Sequence, residues 1–306
     1  MFASISVDLD EIPCYSAIHG LEPPTDGSAH AVYERGVARF ESWLRQLDAR
    51  ATFFAIGRDL DHAPARDAIA RLHGAGHEIG NHTFHHRYDF TRRSAESQGD
   101  DIRRGADAIE HACGERPVGF RAPGYTIVDA TFEQLTAQGY EYDSSVFPCP
   151  PYYAAKAAAI ASIAARGRRS HSIVDDPRVL TAPADPYRVG TPYHRRGDGM
   201  LELPIGVTGL ASARLPFIGT TVAMAGERGA RWLARAMGRR PLVNLELHGI
   251  DLLDAEADGL AWLKPYQPDL KRAGQAKLAA LNSAVTVLLE TGYTLVTLHE
   301  AAHRLE

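Results

Sequence analysis

The residues best placed to do chemistry lie in His82-Thr83-Phe84-His85-His86, where two imidazoles stand at i, i+4 directly after the strand-like run His77-Glu78-Ile79-Gly80. One helical turn would point His82 and His86 the same way, a spacing that suits a divalent metal of the zinc kind. Asp8-Leu9-Asp10, at the end of the first apolar run, offers the missing carboxylate. Two histidines and one carboxylate leave coordination positions open, which separates a hydrolytic metal centre from a structural one. Asp8 and Asp10 are two apart and share a face on a regular strand, so one can bind metal while the other acts as base. HxxxH also occurs on ordinary helix surfaces, so the pair has to be weighed with the rest of the chain.

The elements that must position these groups alternate. Ala3 to Val7 reads as a buried strand, and Arg35 to Leu47 as a helix with Val37, Phe40, Leu44 and Leu47 on one stripe. Strands at 51–56, 77–80, 118–121 and 141–143 interleave with helices at 65–73, 94–113 and 131–138, the last ended by Gly139. Such alternation builds a parallel sheet or a (β/α) barrel. The stretch 148–199 breaks the rhythm with a helix at 153–166 and a loop-like run at 175–198. The pattern resumes at Leu201 to Pro204 and at 242–247 and ends with a helix at 275–290 and a strand at 293–296. The stretch therefore reads as an inserted cap within one catalytic domain spanning 1–306. In such folds ligands sit beyond the carboxyl ends of the strands, where Asp8, Asp10, His82, His86, Arg121, Asp143 and His248 all fall.

Composition excludes more than it identifies. With 33 basic and 38 acidic side chains among 306 residues, the chain is neither a general nucleic-acid binder nor a basic membrane-surface protein. Cys14, Cys113 and Cys149 are odd in number and lack CxxC spacing, so reduced thiols are expected. The amino terminus has no basic segment followed by a long apolar stretch. Neither a signal peptide nor a membrane span is expected, and the expected location is cytoplasmic.

Taken in order, Ser6-Val7-Asp8-Leu9-Asp10, Ala51-Thr52-Phe53-Phe54, the run from Gly76 to His86, Phe120-Arg121-Ala122-Pro123-Gly124-Tyr125, Tyr142-Asp143-Ser144-Ser145 and Leu247-His248 resemble the motifs of the NodB-type polysaccharide deacetylases, carbohydrate esterase family four. The spaced Asp-x-Asp looks closer to a sub-branch with that pattern, since many members have two adjacent aspartates followed by glycine. The resemblance implies a distorted, incomplete (β/α) barrel, seven-stranded and TIM-like. It implies metal ligands Asp10, His82 and His86, general base Asp8 and general acid His248. Arg121 would orient the base, and Asp143 would orient or polarise His248. Here Leu9 separates the aspartates and Glu11 follows them, and the aspartate-and-tryptophan motif after Asp143 is missing.

The expected chemistry is hydrolysis of an N-acetyl group on an amino sugar or related N-acylated substrate, by metal-activated water with an aspartate base and a histidine acid. One divalent metal is expected, Zn2+ first, with Co2+, Ni2+ or Fe2+ as alternatives. The metal and a backbone N–H near Gly124 and Tyr125 would hold the oxyanion, at roughly 3 to 4 kcal/mol per donor. A deformylase or another amidohydrolase acting on a lipid-linked sugar or small metabolite stays open, as does a non-catalytic sugar-binding module. Arg166, Arg168, Arg169, Arg195 and Arg196 are either a phosphate or nucleotide site or a solvated basic face. Leu215-Pro216-Phe217-Ile218 suits core packing, a lipid tail or a second subunit. His19, His77, His85 and His194 are expected to be surface or core residues, with His19 and His85 the first exceptions to consider.

Overall fold

Polar and apolar residues alternate along the first strand, and this sets the architecture. In β1 (Phe2–Asp8), Ala3, Ile5 and Val7 join the main apolar core, while Ser4, Ser6 and Asp8 line the opposite face. The computed structural model describes residues 1–174, 176–209 and 213–305. Its sheet also contains β2 (Thr52–Ala55), β3 (Glu78–Asn81), β4 (Gly119–Phe120), β5 (Tyr142–Asp143), β6 (Tyr187–Val189), β7 (Arg196–Glu202), β8 (Leu242–His248) and β9 (Thr294–Leu295). The order is β6-β7-β5-β4-β3-β2-β1-β8, with β9 also on β1. Every pairing is parallel except β6 with β7.

Helices fill the crossovers: α1 (Ile12–His19) and α2 (Val37–Gln46) after β1, α3 (Ala63–Gly74) after β2, α4 (Ala95–Cys113) after β3 and α5 (Asp129–Ala137) after β4. Then come α6 (Pro150–Ala165) after β5, α7 (Gly219–Ala236) after β7, α8 (Gly274–Glu290) after β8 and α9 (Leu298–Leu305) after β9. Ile205 N–H extends the β5 side by donating to Val146 C=O at 3.0 Å, and among the described residues the segment beyond β7 reaches β8 through Gly206 N–H to Asn244 C=O at 2.9 Å and an isolated bridge between Ile218 and Glu246. This is a distorted, incomplete (β/α) barrel, with nine strands among the described residues rather than seven because the β6 edge strand and β9 are added.

The barrel interior is layered. Its lower plug is apolar, with Phe54, Tyr142, Leu201, Leu242 and Leu298 in one cluster. Above it Ser6, Asn244, Ser144 and Arg121 form a buried polar layer, where Ser6 donates to Asn244 at 2.8 Å and Asn244 to Ser144 at 3.0 Å. The site residues lie on top.

Three sequence expectations need correction. The run 175–198, expected as loop, carries a 3-10 turn at Pro177–Thr181 and the β6–β7 hairpin; Asp175 is outside the described residues. The signal was there in Tyr187 and Val189, buried on either side of exposed Arg188. His82 to His86 is not a helical turn, because Thr83 and His86 have φ of 65° and 51°. Helices α1, α7 and α9 were not anticipated. The first and last are short, and α7 is broken at Gly226, whose φ is 65°. No helix among the described residues is long and apolar enough to cross a membrane.

Candidate active site

The loop beyond β1 is fixed by a residue that follows the two aspartates. Glu11, buried, accepts N–H bonds from Ile12 at 3.3 Å, Val32 at 3.1 Å and Tyr33 at 3.0 Å, tying the start of α1 to the turn near residue 32. Burial outweighs those bonds and pushes its carboxyl up to about 8.

Asp10, His82 and His86 converge. Asp10 Oδ1 lies 3.4 Å from His82 Nε2, and Asp10 Oδ2 lies 3.3 Å from His86 Nε2. The two rings are 4.7 Å apart between centroids. All three side chains are buried, and Asp10 Oδ1 and both His86 nitrogens make no hydrogen bond. Buried polar atoms left in this state carry a desolvation cost unless something else meets them. An oxygen and two nitrogens of this kind are the donor set of a divalent transition metal, so these residues fit such an ion. His82 Nδ1 sits 2.6 Å from the Arg121 carbonyl, where it donates and leaves Nε2 as a lone pair toward the aspartates. Burial holds the His86 imidazolium down to about 4, so the ring is neutral, as a ligand must be. Burial alone would raise the Asp10 carboxyl, but His86 and His82 together hold it far below the usual carboxylate range.

Asp8 sits on the same ledge with a different partner. Its Oδ1 accepts from Arg121 Nη1 at 2.7 Å, and its Oδ2 is 3.8 Å from His82 Nε2. Arg121 is fully buried and fully engaged: Nε donates to Ser144 C=O, Nη2 to the hydroxyls of Ser6 and Ser144, and the guanidinium stacks 4.3 Å over Phe54. The carboxylate is thus aimed and its charge compensated.

His248 occupies the register position matching Asp8 on the adjacent strand, and Asp8, Glu246 and His248 present ligand atoms within 4.8 Å of one another. Its Nδ1 lies 2.9 Å from the buried Glu246 carboxylate, and the rings of Tyr15 and Tyr125 flank it edge-on at 6.3 Å each. Desolvation is the largest influence and would lower the imidazole, but Glu246, with Asp10 and Asp8 adding to it, lifts the pKa well above the ordinary value.

Asp143 has other company. Its carboxylate accepts from Ser145 Oγ at 2.7 Å and Ser145 N–H at 2.9 Å and shares a buried acid pair with Glu202, where burial pushes both carboxyls up. The acid beside His248 is therefore Glu246, not Asp143. Asp143 instead braces the turn whose Ser144 holds Arg121 and whose Ser145 accepts Ala122 N–H at 2.8 Å. Sequence reasoning missed Glu246 although Leu245-Glu246-Leu247-His248 carries the signal: a lone acid in an apolar strand, two residues before the histidine and so on its face.

Gly124 has φ of 62°, and a Cβ there would meet the Tyr88 ring at 3.4 Å. Its carbonyl accepts from Lys156 Nζ at 3.0 Å. The Tyr125 N–H is spent on Ala122 C=O at 3.2 Å, which removes it as an oxyanion donor and leaves its ring as the feature near His248. Of the bystander histidines, His85 bonds Asp101, His19 bonds Gln267 at 3.0 Å and His77 accepts the Ala51 N–H at 3.2 Å; none joins the cluster. Phe217 packs in the main core. Cys14, on α1, brings a thiol within 4.8 Å of the Asp10 and His86 ligand atoms, a neighbour that sequence spacing did not reveal.

A sequence model of the family described as Polysaccharide deacetylase matches residues 26–142, a span that contains His82, His86 and Arg121. Over that span the chain is similar to the polysaccharide deacetylases. It is similar to the peptidoglycan deacetylase of Helicobacter pylori, 24% identical over 157 residues, 50% of this chain and 53% of that protein. It is 40% identical over 98 residues to the peptidoglycan-N-acetylglucosamine deacetylase of Bacillus cereus, 32% of this chain and 44% of that one. It is 41% identical over 81 residues to the chitooligosaccharide deacetylase of Azorhizobium caulinodans, 26% and 37% of the two chains. The chain thus spans about half, or less, of the length of these curated relatives. A Mycobacterium smegmatis crystal structure assigned to the polysaccharide deacetylases shares the fold, with a TM-score of 0.54 at 20% identity over 96% of this chain and 92% of that one.

Proposed function

We propose that the protein is a metal-dependent hydrolase that removes the N-acetyl group from an amino sugar. The observation that carries this reading is the buried convergence of Asp10, His82 and His86, with Asp10 Oδ1 and both His86 nitrogens unpartnered, beside an arginine-held Asp8 and a glutamate-held His248. Asp10, His82 and His86 would hold one divalent ion, Zn2+ first among the candidates. Such an ion supplies Lewis acidity that acidifies water and polarises a carbonyl oxygen.

The chain's own residues supply the rest. Asp8, held by Arg121, accepts the proton of the attacking water. His248, kept cationic by Glu246, donates a proton to the departing nitrogen, without which an amine is a poor leaving group. Arg121 of the polar layer beneath holds Asp8, while Glu246 and the rings of Tyr15 and Tyr125 position His248. The left-handed turn at Gly124 lets an acyl oxygen approach the backbone closely.

The test is mass-spectrometric scoring of the metal-loaded protein against matched N-acetyl and N-formyl glucosamine and their short β-1,4 oligomers. Acetate release that vanishes on chelation is the expected result. A fully loaded protein that releases no acetate from any of them would sink the reading, and formate alone would move it to a deformylase.

A further inference from the structure

A cavity of about 600 Å³ opens beside the proposed metal centre, with His86 and Cys14 in its wall. The rest of that wall is mixed, with four arginines among neutral residues such as Pro13, Tyr88 and Ile173. Arg58, Arg87, Arg92 and Arg169 line it together with His85 and His171. Among the described lining residues the acidic side chain is Asp89, whose carboxylate is bonded by Arg93 at 2.8 Å. Arg58 faces Asp59 at 3.5 Å, but no carboxylate among the described residues pairs with Arg87, Arg92 or Arg169. Such a concentration runs against the chain as a whole, in which acidic side chains outnumber basic ones by 38 to 33.

The cavity wall is built rather than accidental. After α6 the chain returns to α1, where Ser170 Oγ donates to Ile18 C=O at 2.6 Å and His171 N–H donates to Ala17 C=O at 3.0 Å. This docking sets Arg169 opposite the loop that carries His86, Arg87 and Arg92. The other arginines considered from sequence are elsewhere: Arg166 bonds Ser162 on its own helix, Arg168 stacks on Tyr266 at 4.8 Å, and Arg195 and Arg196 lie at the β6–β7 hairpin.

Asp89 offsets part of the charge of Arg87, but three guanidiniums without an ion-pair partner among the described residues, set around a concave wall, focus a positive potential there, and guanidinium forks match phosphoryl oxygens. We propose that the substrate is a phosphorylated N-acyl amino sugar whose phosphoryl group is held by Arg87, Arg92 and Arg169 while its amide reaches the centre at His86. This rests on the deacetylase reading and adds to it the charge of the substrate. A sugar phosphate, a nucleotide diphosphate sugar and a lipid-carrier diphosphate sugar share that chemistry.

The test measures calorimetric binding and acetate release by the metal-loaded protein with N-acetylglucosamine, N-acetylglucosamine 1-phosphate, its uridine diphosphate form and a short polyprenyl diphosphate form. At least one phosphorylated form should bind about tenfold or more tighter than the plain sugar, with the advantage shrinking in high salt. The form with the greatest advantage identifies the source. Arg87→Ala/Arg92→Ala/Arg169→Ala should erase the advantage, and the triple lysine variant should keep part of it. Equal binding of all four sugars, or an advantage that survives the alanine variant, overturns the proposal. Acetate release without any phosphate advantage would overturn this proposal and leave the deacetylase reading standing. A phosphate advantage in binding without acetate release would do the reverse.

Discussion

Nδ1 of His248 lies 2.9 Å from the carboxylate of Glu246, two residues earlier on the same strand and fully buried. This pair keeps the imidazole protonated through neutral pH against the pull of desolvation. Glu246→Gln removes the stabilising charge, so the imidazole pKa falls. The basic limb of the kcat/KM profile should then move to lower pH, with a larger rate loss at pH 8 than at pH 6. An unmoved limb would show that another group sets it.

The two aspartates should separate cleanly. Asp10→Asn is expected to lose the metal after dialysis against a mild chelator, because its carboxylate faces both imidazoles. Asp8→Asn should keep the metal and lose about a hundredfold to ten-thousandfold in kcat. Elemental analysis beside turnover decides this, and an exchanged outcome would reverse the roles across Leu9.

His248→Ala should retain metal and lose about a hundredfold to ten-thousandfold on amide substrates. An aryl acetate departs without a proton, so the same variant should lose far less on it. Equal losses on both would argue for an oxyanion or structural role.

Arg121→Met leaves the Asp8 carboxylate buried without its 2.7 Å partner. A loss of about 3 to 5 kcal/mol is expected by denaturant unfolding. Adding Asp8→Asn should restore part of it, because the uncompensated charge goes too. Strict additivity of the two changes would mean that the pair is not coupled.

Burial pushes the Asp251 carboxyl, which accepts the His248 N–H at 2.8 Å, up to about 7. A raised carboxyl binds its proton more tightly folded than unfolded, so its contribution is present below about pH 4 and lost as pH rises through 7. Asp251→Asn should therefore gain in Tm relative to the parent between pH 5 and pH 8. A constant difference across that range would remove Asp251 from the account.

The repeating unit was legible because the crossover helices carry their own stripes and caps. Ser94 opens α4 by accepting Ser97 N–H at 3.2 Å, and Gly114 closes it at φ 80°. The site was legible as a set because strand ends converge in this kind of fold. Less legible were the partnerships. Which acid serves His248 depends on the side of β8 that Glu246 faces, and Asp143 was claimed by Ser145 and Glu202 from neighbouring segments. The histidine pair was found through a spacing that suggested a helix, whereas two left-handed residues in a loop bring the rings together. The arginine-lined cavity drew on residues more than 100 positions apart, Arg58 and Arg169, that no local pattern joins.

The pairing of β1 with β8 also has a time axis. Asp8, Asp10, His82 and His86 leave the ribosome before β8 does, with β2 and β3 already made to support them. The strand that brings Glu246 and His248 to the other edge of β1 follows more than 150 residues later. During synthesis the growing chain thus holds the proposed ligand cluster well before it holds the proposed proton donor, and the proposed site is complete only once β8 is made.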